Sequence, residues 1–262
     1  MKKIPFILLA LTFTFSNCIK ETSCTFIYSS WSSCANTIQT RTYSSIPLSC
    51  TPPKDSIQRS CSLFINDLPV TDIEGNIYNT VKLGSQTWTT KNLNVSKYCN
   101  GDEIPQVTSI IQWRNLATGA WCYYQNNSAN GLIYGKLYNW YAVNDSRGLA
   151  PKGYHIPTKV DLDNLTTYLG ETAGGTMKES GTIHWNSPNI DATNSSGFIG
   201  LPGGKLIEGF DYLGSHGFWW TSAEISSWSA YQYFLMSSNN MLNQSSNYIE
   251  KTSGFSVRCI KD

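Results

Sequence analysis

Three histidines, His155, His184 and His216, are the side chains best suited to bind a metal or move a proton, yet none has a second ligand four residues on. That spacing is what puts two ligands on one helix face, and without convergent ligands no metal site is expected. Asp161 and Asp163 could be a carboxylate pair, but they stand at a helix start, where acids offset the helix dipole. The chain has no Gly-x-Ser-x-Gly elbow, phosphate loop or dinucleotide fingerprint. Gly203-Gly204 reads as a turn between strands rather than an anion cradle. Cys99, Cys122 and Cys259 are widely spaced and form no Cys-x-x-Cys. The expectation is a protein with no catalytic residue, no metal and no cofactor. What remains is aromatic: Trp219, Trp220, Trp228, Tyr231 and Tyr233. Exposed rings stack on sugar faces, whereas paired tryptophans in a β-rich region commonly build core. Trp228 and Tyr231 are the candidate ligand-binding residues.

Composition narrows the class. The net charge is +1 and only 14% of residues are charged, so no basic field exists to hold nucleic acid. Aromatic residues make up 13%, with 9 Trp and 15 Tyr, enough to fill a core and still present amphipathic rings outside. The 8 cysteines suit an oxidising compartment.

The N-terminus agrees with export. Lys2 and Lys3 precede an uncharged apolar run from Ile4 to Phe15, well short of the ~20 residues of a spanning helix. Ser16 and Asn17 lead into Cys18 in a pattern that resembles a relaxed bacterial lipobox. The resemblance implies a signal peptide over 1–17, a lipid on Cys18 and a lipidated N-terminus over 18–23. Ordinary cleavage near Ser16 is the alternative, with Cys18 then a disulfide partner. No second apolar run has spanning length, so the mature protein is expected to be anchored to the membrane by lipid, not integral. Ile19 stands where an Asp would suggest inner-membrane retention, which favours the outer membrane or cell surface.

Residues 24–61 carry four cysteines and few aliphatic side chains, a composition that needs covalent staples. Trp31-Ser32-Ser33-Cys34, followed by Gln39-Thr40-Arg41, resembles a thrombospondin type 1 repeat, in which tryptophan and arginine stack in place of a core. The resemblance makes Trp31 and Arg41 the matching rungs and Arg59 a further one, and it implies the bridges Cys24–Cys50 and Cys34–Cys61. A simple disulfide-stapled spacer is the alternative. Residues 62–70 read as a linker.

Beyond it, Asp72 to Tyr78 reads as a hairpin around Gly75-Asn76. Leu137, Trp140 and Tyr141 have helical spacing within 134–143. A clearer helix starts at Thr158 as N-cap with Asp161 as capping-box acid, buries Leu162, Leu165 and Leu169, and stops at Gly170. Phe218 to Trp220, Ala230 to Met236 and Gly254 to Ile260 read as strands. Ordered motifs run through the same region: Gly84-Ser85-Gln86-Thr87-Trp88, Tyr138-Asn139-Trp140-Tyr141, Pro151-Lys152-Gly153-Tyr154, Trp219-Trp220-Thr221-Ser222 and Phe255-Ser256-Val257-Arg258-Cys259. Residues 71–262 thus resemble the Fibrobacter succinogenes major paralogous domain, a family of secreted and surface lipoprotein domains with no established activity. The expected fold is α+β, a C-type-lectin-like domain with two helices and short antiparallel strands, preceded by the small stapled module. Ser187-Pro188-Asn189 is similar to the Pro-centred triplet of calcium-dependent lectins, but no Trp-Asn-Asp follows it. The family's usual cysteine before Pro-x-Gly is replaced by Ala150. With that partner absent, Cys259 is expected to be free and Cys99 to pair with Cys122; a Cys122–Cys259 bridge is the rival.

Two functions follow. The first is a surface-anchored, non-catalytic binding or adhesion lipoprotein that takes an extracellular glycan or a host or matrix protein. The second is a lectin-like-fold enzyme related to the formylglycine-generating group, which would need a close cysteine or copper-binding pair.

Overall fold

The computed structural model describes residues 25–28, 38–40, 42–46, 51–52, 58–60, 68–244 and 249–262. The chain divides into a unit over Met1–Leu63 and a larger one over Phe64–Asp262. In the first, β1 (Thr25–Tyr28) pairs antiparallel with β3 (Tyr43–Ile46), and β2 (Ile38–Thr40) with β4 (Gln58–Ser60). Phe26 meets Tyr43 edge-on at 6.2 Å. Cys18, Cys24, Cys34, Cys50, Cys61, Trp31 and Arg41 lie outside the described residues, and with them the lipid site, both expected bridges and the stacked rungs.

The larger unit is α+β, with short helices among several sheets. It opens on the hairpin of β5 (Val70–Thr71) and β6 (Ile77–Tyr78). Asp72 fixes that turn: its carboxylate accepts the backbone N–H groups of Glu74 and Asn76, at 3.0 and 2.9 Å, and the Tyr78 hydroxyl at 2.7 Å. Gly75, at φ 86°, takes the left-handed position that side chains avoid. β7 (Thr80–Leu83) and β8 (Gln86–Thr89) continue into a four-stranded sheet, where β18 (Ile260–Lys261) lies between β8 and β11 (Tyr154–His155). β9 (Trp121–Cys122) pairs with β10 (Leu137–Tyr138).

The main sheet holds β12 (Gly203–Leu206), β13 (Phe210–Leu213), β14 (His216–Ser226) and β15 (Ser229–Met236), with β16 (Asn243–Gln244) and β17 (Ile249–Glu250) both on β15. Alternation along β14 sorts its side chains onto two cores. Phe218 and Trp220 join Tyr138, Trp140 and Phe255 in one cluster. Trp219 joins Trp88, Phe198 and Tyr233 in the other, stacked on Tyr233 at 5.4 Å. The junction is polar but satisfied. Asn92 Oδ1 accepts from Trp219 Nε1 at 2.7 Å and from Arg258 Nε at 2.6 Å. The buried Arg258 guanidinium also donates to the carbonyls of Thr89, Phe198 and Ile199.

The helices are α1 (Ile110–Arg114), α2 (Ser128–Tyr134), α3 (Trp140–Val143), α4 (Lys159–Leu169) and α5 (Ala173–Met177). α4 forms as its sequence dictates: Thr158 and Asp161 make a reciprocal capping box, Leu162 and Leu165 are buried, and Gly170 ends it at φ 77°. The expected helix over 134–143 is instead broken. α2 ends at Tyr134 because Gly135 turns to φ 75°, β10 follows, and Asn139 then caps the short α3. Five α-helices and a 3-10 turn at Tyr124–Asn126 therefore stand among the described residues where two helices were expected. The strand expected over 254–260 is reduced to isolated bridges at Gly254, Phe255 and Ser256, followed by β18.

Candidate binding site

β14 and β15 meet at a hairpin tip that carries Trp228. Three hydrogen bonds fix the tip. Ser226 and Ser229 join hydroxyl to hydroxyl at 2.7 Å, the Trp228 N–H donates to Ser226 Oγ at 3.4 Å, and the Trp228 carbonyl accepts from the Lys251 N–H at 2.9 Å. Below the tip, the buried Lys251 ammonium binds Glu224 at 2.6 Å and the Ser227 carbonyl at 3.0 Å, and lies 4.5 Å from the Trp140 ring. On this fixed base the Trp228 side chain is 50% exposed. The other seven described tryptophans are all buried, none more than 7% exposed. Tyr231, the second candidate, is half-buried, and its carbonyl accepts from Thr221 Oγ1. Of the remaining candidate rings, Trp219, Trp220 and Tyr233 are core.

The histidines are each engaged elsewhere. His155 sits between two carboxylates, with Nδ1 2.8 Å from Asp262 and Nε2 3.3 Å from Asp161. His184 meets Glu179 at 2.8 Å, and His216 meets the Ser215 hydroxyl at 2.9 Å. Among the described residues no cluster of three His, Cys, Asp or Glu side chains could hold a metal. Asn189, from the lectin-like triplet, is buried and donates to the carbonyls of Glu179 and Gly181. The nearby Lys178 ammonium takes the carbonyls of Ile190, Met236 and Asn239 at 2.8–3.0 Å.

The expected Cys99–Cys122 bridge is not formed: Cys99, Cys122 and Cys259 are all free thiols. The first two lie in different surroundings. Cys122 faces inward from β9 among Trp113, Tyr124 and Leu206. Cys99 is held at the Gly148–Ala150 segment, where its N–H donates to Gly148 and its thiol to the Ala150 carbonyl at 2.8 Å. Cys259 is buried in the cluster that holds Ala150.

Two depressions that the sequence did not announce flank this Ala150-Pro151-Lys152 ridge. The larger, about 420 Å³, is lined by Cys99, Lys152, Tyr154, His155 and Ser222; the smaller, about 220 Å³, by Asp72, Lys97 and Cys99. Cys99 and His155 are the groups among their lining residues that could do chemistry. The Cys99 thiol, raised by partial desolvation, donates to the Ala150 carbonyl, and both His155 nitrogens face carboxylates. Pro151-Lys152-Gly153 was the one signal for this ridge, and it says nothing of Cys99 arriving from fifty residues away.

The chain belongs to the family of the Fibrobacter succinogenes major domain, whose model matches residues 81–261. No curated protein and no solved structure matches it.

Proposed function

We propose that this member of the family is an exported lipoprotein, held at the outer membrane or cell surface by a lipid on Cys18, whose large domain binds an extracellular glycan or a host or matrix protein without catalysis. Trp228 carries the reading. A chain that buries its other described tryptophans and holds one half-exposed on a hydrogen-bonded hairpin tip exposes apolar area whose use is contact with a partner. A ring exposed to that degree forgoes most of the gain that burial would bring to folding, and a ligand that covers it would recover that gain.

A C-type-lectin-like arrangement of the large domain and a thrombospondin-like arrangement of residues 24–61 belong to the same proposal. The opening hairpin, the capped α4 and a terminal strand joined to β8 support the first; the antiparallel pairs β1–β3 and β2–β4 support the second. The enzymatic alternative finds less support. Burial raises the Cys122 and Cys259 thiols well above the ordinary range, the reverse of what thiolate chemistry needs.

Two experiments test the proposal. Feeding cells a fatty-acid analogue should label the protein, and Cys18→Ala should abolish the label and release the chain into a soluble fraction. An unlabelled wild type would refute the anchor. A glycan and host-protein array probed with the mature protein should give hits that Trp228→Ala removes and calcium chelation leaves intact.

A further inference from the structure

A second corner of the large domain has the chemistry of a ligand site, independent of the hairpin tip. It lies where β12, β13 and the start of β14 meet. Lys205 and Asp211 are cross-strand partners. Lys205 does not pair with the carboxylate, though. Its ammonium lies over two rings, 4.9 Å from the Tyr212 centroid and 5.4 Å from that of Phe218, and makes no hydrogen bond or ion pair among the described residues. Its three N–H donors are therefore available.

Tyr212 is placed by a backbone conformation that bulky side chains avoid. Its φ is 64°, and nothing in a hairpin requires a tyrosine there. The Asp211 carboxylate holds it by accepting the Tyr212 N–H at 2.7 Å, and Ser215 donates its N–H and its hydroxyl to the Tyr212 carbonyl, both at 3.1 Å. In regular strand geometry Tyr212 would face away from its neighbour Asp211 and hence from Lys205. The left-handed turn instead brings its ring beside Lys205 and 4.5 Å from His216, and leaves the side chain 39% exposed. Behind it, His216 stacks on Phe218 with planes 3° apart, and Phe218 stacks on buried Phe255. The platform is rigid to the core. Lys205, Glu208, Phe210 and Asp211 line an adjoining depression of about 350 Å³, a size in the range of small-molecule sites.

We propose that this corner binds a neutral pyranoside, its flat C–H face on Tyr212 and adjacent hydroxyls bridging the Lys205 ammonium and the Asp211 carboxylate. Charge selects the class. An acidic sugar would meet Asp211 and Glu208 together, and a cation would be repelled by the Lys205 ammonium beside the ring. A sugar hydroxyl both donates and accepts, which suits an ammonium and a carboxylate that face each other without pairing. The corner and Trp228 stand at opposite ends of the 11-residue β14, on the order of 30 Å apart by the rise of a strand.

The test uses the mature protein and three probes: methyl β-glucopyranoside, methyl β-galactopyranoside and glucuronate. The three histidines give three resolvable imidazole signals in a carbon-edited spectrum. Titration with at least one neutral glycoside should shift the His216 signal saturably and leave His155 and His184 in place. Tyr212→Gly, which keeps the backbone turn without strain, should weaken that affinity about tenfold, the effect of losing one ring contact. Lys205→Met should weaken it while keeping the stem, and Trp228→Ala should not change it. No His216 shift with either neutral glycoside, a tighter response to glucuronate, or a response unchanged in Tyr212→Gly would overturn the proposal. Loss of array binding in Trp228→Ala with this titration intact separates the two sites.

Discussion

Trp219 and Trp220 sit in the middle of β14, and Trp228 sits in the turn of the same hairpin, eight residues beyond Trp220. The first two are fully buried on opposite faces, each with its indole N–H donated to a protein oxygen: Asn92 Oδ1 for Trp219 and the Tyr138 carbonyl for Trp220. Trp228 is half exposed on a backbone as well tied as theirs. Side-chain type is therefore silent about role in this hairpin. Position decides it: Trp219 and Trp220 lie within the paired strand, whereas Trp228 lies in the turn, where its ring is half exposed and contributes little to folding.

The contrast can be broken or sharpened by substitution. The largest effect belongs to the core rings: Trp220→Ala should cost about 4 kcal/mol in chemical denaturation, as for other buried aromatics cut to alanine. A loss below about 1 kcal/mol would show that the pair does not build the core. Next, Arg258→Met should cost about 3 kcal/mol, since it leaves Asn92 Oδ1 and the carbonyls of Thr89, Phe198 and Ile199 short of donors.

A third prediction concerns pH. Burial pulls Lys178 down to about 8, below its ordinary value. The folded chain thus gives up a proton that the unfolded chain still binds, so stability should rise with pH from about 8 towards the ordinary lysine range. Denaturation midpoints measured across that window should climb in the wild type, and Lys178→Met should flatten the slope. A smaller effect, about 1 kcal/mol, is expected for Thr158→Ala, which opens the α4 capping box. Trp228→Ala should be smallest of all, within about 0.5 kcal/mol of the wild type.

What the sequence foretold follows the range of the interactions. The Thr158–Asp161 box, the Gly75-Asn76 turn and the start of β15 rest on neighbours a few residues apart, and all three formed. Tyr134 to Val143 misled because its helical spacing of Leu137, Trp140 and Tyr141 is also what a strand followed by a short helix gives when every side is buried. Only Gly135 marked the break. The trouble at Cys99 was long-range. Its partner segment at Gly148–Ala150 is set by how the loops pack, which spacing does not encode. Trp228 was legible as a candidate from type, but its exposure was not. Tyr212 was not legible at all, because its conformation depends on Asp211 and Ser215 acting together.

Binding itself is the most direct measurement. The mature protein and its Trp228→Ala variant, matched in thermal stability, would be compared on one glycan and host-protein array, with and without EDTA. The wild type should bind at least one ligand class, keep it in EDTA and lose it with Trp228. Equal binding by the variant, or loss of all binding on chelation, would contradict a role for the exposed ring and return attention to a metal-dependent site.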